Sequence, residues 1–206
     1  MDPKDLNKEL GNADLLLIDQ ILKNRFSPEL KILDAGCGEG RNMVYFIKNG
    51  YQIYGIDQNR EMVSMAQLIS QSLNKNYARE NIIESSIEEN PFPENFFDIV
   101  LCINVLHIAR DINHFKNMIK SMVKILKSGG LFYMSMESNV GIERKLKRVG
   151  HWKYELENNE IRFLLTNKLV EEIIRTTNLV RSEPMRTIHI ENMISYSGVW
   201  FKKTSD

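Results

Sequence analysis

Few folds accommodate the stretch Lys31-Ile-Leu-Asp-Ala-Gly-Cys-Gly-Glu-Gly-Arg41. It opens with an apolar run, Ile32, Leu33 and Ala35, whose only charge is Asp34. Glycines follow at alternate positions, Gly36, Gly38 and Gly40, and a helical pattern begins with Arg41, Asn42, Met43, Val44, Tyr45 and Phe46. That order predicts a strand, a tight turn and a helix. Glycine tolerates positive φ and has no side chain to block a ligand. Such a turn lets backbone approach a nucleotide-like molecule and aims a helix N-terminus at it.

The rest of the chain repeats this rhythm. Apolar patterning predicts strands over 30–35, 51–56, 80–84, 97–103 and 131–136. Between them it predicts helices over 41–49, 60–73 and 112–126, with Asn49-Gly50 and Lys127-Ser-Gly-Gly130 as helix exits. Phe97-Asp-Ile-Val-Leu-Cys-Ile103 is nearly continuous in apolar residues, as expected of a parallel strand buried on both faces. The fold class is therefore α/β, a doubly wound, mostly parallel sheet. Ahead of it, residues 11–24 predict an amphipathic covering helix with Asn12 as N-cap. Beyond it the rhythm breaks. Residues 137–166 read as an insertion beside the site, 167–177 as a helix, and 179–190 and 193–203 as two strands pairing antiparallel at the sheet edge. The length, 206 residues, fits a single domain over 1–206.

Asp57 closes the run Tyr51-Gln-Ile-Tyr-Gly-Ile-Asp57, about 20 residues after the first glycine, where a carboxylate suits ribose hydroxyls. The pattern Asp34-x-Gly36-x-Gly38-x-Gly40 with Asp57 resembles the class I S-adenosylmethionine-dependent methyltransferases. Nicotinamide enzymes place the third glycine three residues after the second, and here Arg41 stands at that position. The resemblance covers residues 31 to about 135 and implies a seven-stranded Rossmann-like sheet ending in an antiparallel hairpin. It implies S-adenosylmethionine as cofactor, S-adenosylhomocysteine as product, and methyl transfer by in-line displacement to a small-molecule acceptor, without a metal.

The same resemblance assigns cofactor residues. The glycine turn and the first helix's amides face the methionine carboxylate, Asp34 attracts the ammonium, and backbone near Asn104 accepts from it. Asp57 takes the ribose hydroxyls. Ser86 stands where the family often has an aspartate facing the adenine amine, and Ile87 packs on the ring. His107, just past the fourth strand, is a candidate general base or a packing histidine. His151, Trp152 and Tyr154 form either a substrate wall or a lid packed on its own domain. The cluster from Arg144 to Arg148 is either a solvated face or an anion clamp.

Charge narrows the partners. Lysine plus arginine and aspartate plus glutamate both number 27, so no general field draws in nucleic acid. No apolar run approaches the roughly 20 residues of a membrane span, and the charged N-terminus is unlike a signal peptide. Cys37 and Cys102 fall in buried segments and read as reduced packing residues of a cytoplasmic protein. Three readings stay open beside the small-molecule enzyme: a cofactor-binding module without catalysis, a methyltransferase acting on protein or RNA, and a nicotinamide oxidoreductase. Oligomeric state and acceptor identity are not legible.

Overall fold

The computed structural model describes residues 3–156, 159–191 and 193–205. Residues 157 and 158 of the expected insertion, and Met1 and Asp2 of the charged N-terminus, lie outside the described residues.

Two helices precede the sheet, α1 (Pro3–Leu10) and α2 (Leu15–Leu22). The sequence suggested one helix capped by Asn12. Instead Asp14 caps α2, accepting from the amides of Leu16 and Leu17 at 3.0 and 3.2 Å. Asn12 uses its carbonyl to accept from Arg41 at 3.1 Å, and Asn42 Oδ1 accepts from the Asp14 amide at 2.9 Å. The covering helix is thus fastened to the residues that leave the glycine turn.

The alternating region follows as β1 (Lys31–Ala35), α3 (Val44–Lys48), β2 (Gln52–Asp57), α4 (Arg60–Leu73), β3 (Ile82–Glu84), β4 (Phe97–Ile103), α5 (Ile112–Ile125) and β5 (Leu126–Glu137). The expected helix over 41–49 is a single 3-10 turn, Arg41–Met43, and the short α3. Lys127-Ser-Gly-Gly130 does not end a helix but lies within β5, because α5 stops at Ile125.

Next come three short strands, β6 (Lys147–Arg148), β7 (Lys153–Glu155) and β8 (Ile161–Phe163), which pair antiparallel in a small sheet of their own. Then follow α6 (Asn167–Thr176), β9 (Leu179–Arg181), β10 (Arg186–Ile190) and β11 (Ile194–Lys203). The main sheet runs β10-β11-β5-β4-β1-β2-β3, with β9 paired to the far end of β11. It holds eight strands rather than seven, since the run expected over 179–190 breaks into β9 and β10. Pro184, which lacks an amide donor, sits in that break. The pairs among β1–β5 are parallel, and β11 turns antiparallel against β5 and β10.

Both sheet faces are covered. Ile99, Leu101 and Ile103 of β4 join Phe46, Ile47 and Ala66 under α3 and α4. Val100 and Cys102 join Phe115, Met118 and Ile173 under α5 and α6. A register shift between Phe97 and Ile99 puts Phe97 in the second group, out of strict alternation. This double burial explains the nearly unbroken apolar run in β4.

Candidate functional site

Three chain reversals meet at the carboxyl ends of β1, β2 and β4, and a crevice of about 560 Å³ opens there, walled by Gly36, Asp57, Ser86, Ile87 and Val105. The turn after β1 needs its glycines for two reasons. Gly36 has φ +79°, and a Cβ on it would come within 2.4 Å of Val105 Cγ2. Gly38 has φ +55° with open space where a Cβ would stand. The first glycine lets strands and loop approach, whereas the second leaves the bend uncovered.

The turn's amides are not available as the sequence suggested. Gly36 and Cys37 both donate to the carbonyl of Ile56, at 2.8 and 2.9 Å, and Gly40 donates to Cys37 at 2.9 Å. Gly38 donates to Asp57 Oδ2 at 2.9 Å, and Asp57 Oδ1 accepts from Asn59 at 2.9 Å. Backbone donors in a packed turn must find partners inside the fold. The helix that follows is also too short to act as a strong dipole. The turn therefore contributes space and shape, and it fixes the Asp57 carboxylate.

Asp34, two residues before the crevice-lining Gly36, is 1% exposed, and neither carboxylate oxygen has a hydrogen-bond partner. Burial pushes its pKa up to about 7, with the Asp57 charge adding to the rise and Arg41 opposing it. A buried, unpartnered carboxylate fits a missing cationic partner. Asn104 sits at the exit of β4 with φ +56° and donates its amide to Ser135 at 2.8 Å. Ser86 Oγ accepts from the Glu89 amide at 3.2 Å, so the hydroxyl already serves the loop. Ile87 is buried, 6% exposed, against the α5 side of the core.

Residues 33–134 match the family model described as a methyltransferase domain. Those residues belong to the methyltransferase domain family. An Aliivibrio fischeri ubiquinone biosynthesis O-methyltransferase is 30% identical over 131 residues, covering 58% of this chain and 53% of that protein. The chain spans roughly two-fifths to half the length of the curated relatives it matches. Among solved structures, a SAM-dependent methyltransferase from Methanosarcina mazei superposes with TM-score 0.73 at 21% identity, covering 90% of this chain and 98% of that one. The 1,6-didemethyltoxoflavin-N1-methyltransferase of Burkholderia thailandensis, solved with 1,6-didemethyltoxoflavin and S-adenosylhomocysteine, gives 0.68 at 16% identity, over 99% and 82%. At those identities the likeness shows the fold.

The methyltransferase match includes His107 but stops before His151, Trp152 and Tyr154. His107 lies outside the crevice, in an adjoining cleft of about 430 Å³ that it shares with Arg110, Glu160, Arg162 and Phe163. Its Nδ1 is buried without a partner. Burial lowers its pKa, Glu137 works against that, and Arg162 adds to it. The aromatic trio is scattered. Trp152, at φ +64°, packs on the core under α5 and α6, and its carbonyl accepts from Leu164 at 3.1 Å. His151 is exposed and meets Trp152 edge-on at 5.2 Å, while Tyr154 lies in β7. None of the three lines the crevice, so the expected substrate wall is not assembled there. Arg144 and Lys145 are exposed, and Lys147 pairs with Glu155 at 2.7 Å, as a solvated face does.

Among the crevice residues not singled out from sequence are the ionisable Glu88, Arg110 and His114. His114 Nδ1 accepts from the Arg110 amide at 3.1 Å, which leaves Nε2–H to donate to Glu88 Oε1 at 2.6 Å. For His114 a signal was available: a polar side chain in the first turn of α5, one helical turn before Met118 of its apolar stripe.

Proposed function

We propose that this chain binds S-adenosylmethionine in the crevice above β1 and β2 and methylates a small-molecule acceptor by in-line displacement, releasing S-adenosylhomocysteine. The observation that carries the reading is Asp34, whose two buried oxygens lack partners two residues before a bend that is open at Gly38. S-adenosylmethionine supplies a methyl group activated on a sulfonium. The chain supplies the rest. Asp34 attracts the ammonium of the methionine end, and Asp57, held by two backbone amides, faces the ribose hydroxyls. Gly38 keeps the bend open, Gly36 and Gly40 let Val105 and Ala66 pack close to it, and backbone at Asn104 lies beside the same end. Ile87 packs toward the adenine, with Ser86 shaping the loop around it. Alignment of the acceptor can provide most of the acceleration. Where the acceptor must lose a proton, His107 is placed to take it: burial favours the neutral imidazole near pH 7.

A small-molecule acceptor fits a cleft of about 430 Å³ and the balanced charge, 27 against 27, better than RNA. Unpaired Cys37 and Cys102 fit a reducing, cytoplasmic setting, and no described helix is long and apolar enough to cross a membrane.

Titration calorimetry with S-adenosylhomocysteine and with NAD tests the cofactor assignment. Heat is expected with the former only, and Asp57→Ala should weaken that binding at least tenfold. Heat with NAD alone, or unchanged affinity in the variant, overturns it. Binding with no labelled methyl transferred to any component of a metabolite extract would favour a cofactor-binding module without catalysis.

A further inference from the structure

At the far end of β5 the chain builds a second enclosed space. Glu137, the last residue of β5, walls a cavity of about 410 Å³ together with Ile142, Leu156, Leu164 and Arg162. That volume suits a drug-sized organic molecule. The cavity is linked to the crevice in steps. It shares Glu160 and Arg162 with the His107 cleft, and that cleft shares Ile108 and Arg110 with the crevice.

The polar groups of this cavity are unequally satisfied. Arg162 gives Nε and Nη2 to Glu160 Oε2, at 3.0 and 2.6 Å. Ser138 and Ser195 bond each other at 2.8 Å, and Ser195 also donates to the Val140 carbonyl at 2.9 Å. Glu137 Oε2 is buried and has no partner, alone in this among the described lining residues. A buried acceptor in that condition favours a hydrogen-bond donor from outside the chain. The wall carries two carboxylates, Glu137 and Glu160, against one guanidinium, Arg162, which disfavours an anion. Position supports the same reading: Glu137 ends β5 as Asp57 ends β2, a carboxylate at the carboxyl edge of the sheet.

We infer that this cavity is the acceptor subsite, and that Glu137 selects acceptors with an apolar body bearing a cationic or neutral N–H or O–H donor and rejects carboxylates. The inference rests on the methyl-transfer reading and names the substrate class for it. Glu137 is a binding residue here, and His107 lies between it and the crevice.

Three indoles of similar shape test the selection: tryptamine, tryptophol and indole-3-propionate, titrated by calorimetry with and without S-adenosylhomocysteine. Tryptamine should bind at least tenfold more tightly than indole-3-propionate, with tryptophol between them. Glu137→Gln should cut tryptamine binding at least tenfold while leaving S-adenosylhomocysteine affinity within twofold. Ile194→Trp, which fills the cavity from the exposed start of β11, should block tryptamine equally without touching the crevice. Equal binding of the carboxylate, or tryptamine binding that survives both variants, would overturn the assignment. Failure of S-adenosylhomocysteine to bind the unmodified protein would instead sink the cofactor reading, and the indole titrations without it would still decide on Glu137.

Discussion

In the crevice above β1 and β2, polar groups of the turn have partners inside the chain. Gly36, Cys37, Gly38 and Gly40 donate to Ile56, Asp57 and Cys37, and Asp57 is held by two amides. Beyond β4 and β5 the pattern reverses. His107 Nδ1 and Glu137 Oε2 are buried with no partner, and the walls combine the ends of β5 and β11 with loop residues and the short strands β7 and β8. The first region is pre-shaped by backbone and can serve any chain with the same cofactor. The second is shaped by side chains, most of them beyond residue 134, where the family match ends. Rigid backbone geometry carries the shared step, and replaceable side chains carry specificity.

The severest way to break this contrast is to fill the bend. Gly36→Ala forces a Cβ against Val105, on a residue at φ +79°. Left-handed strain costs about 1–2 kcal/mol, and overpacking adds about 1–3 kcal/mol. Chemical denaturation should show a loss of about 3 kcal/mol, and S-adenosylhomocysteine binding should weaken at least thirtyfold because Val105 lines the crevice. Adding Val105→Ala should restore the packing part but not the strain. Unchanged binding in Gly36→Ala would mean that the bend is not pre-shaped.

Asp34 is the exception on the rigid side, and it can be read by pH. Burial raises its pKa from 3.8 to about 7, so the folded chain keeps a proton that the unfolded chain has released. Between about pH 4 and pH 7 the folded state binds more protons, and stability falls as pH rises, by about 4 kcal/mol at most. Asp34→Asn should flatten that slope. A bound ammonium favours the carboxylate, so S-adenosylhomocysteine should release a proton near pH 6 and bind more tightly as pH rises toward 7. Binding heats that are identical in buffers of different ionisation enthalpy would remove the ammonium role.

The same contrast explains what the sequence made legible. Strands such as Phe97–Ile103 are buried on both faces, so their apolar runs stand out, and Asp34 and Asp57 stand out within such runs as isolated charges. The cap of α2 was ambiguous because Asn12 and Asp14 both have the chemistry; the contact between Arg41 and the Asn12 carbonyl decides it, and that contact spans 29 positions. The strands β6 to β8 are too short to show a period. For Trp152 the sequence left a ligand wall and a lid packed on its own domain open, because nothing local reveals that it packs under α5 and α6. Glu137 followed the same rule as Asp57, a carboxylate closing an apolar strand, yet its pairing with a cavity depends on Leu156 and Leu164, which follow β7 and β8.

The smallest expected effect sharpens the contrast most finely, because it separates a loop hydroxyl from a ligand contact. Ser86 stands where the family resemblance places an adenine acceptor, but its Oγ already accepts from the Glu89 amide at 3.2 Å. The neighbouring Ser85 hydroxyl reaches the carbonyls of Ser86 and Glu89, at 3.1 and 3.2 Å, and closes the same turn. A hydroxyl used this way stabilises the loop by about 0.5–1.5 kcal/mol. Ser86→Ala should therefore lower stability by that amount in a denaturant titration and change S-adenosylhomocysteine affinity less than threefold. A tenfold loss of affinity at unchanged stability would move Ser86 into direct contact with the adenine. The crevice would then hold a side-chain acceptor free to turn from loop to ligand, and the division between a pre-shaped cofactor side and an adaptable acceptor side would no longer hold at its adenine end.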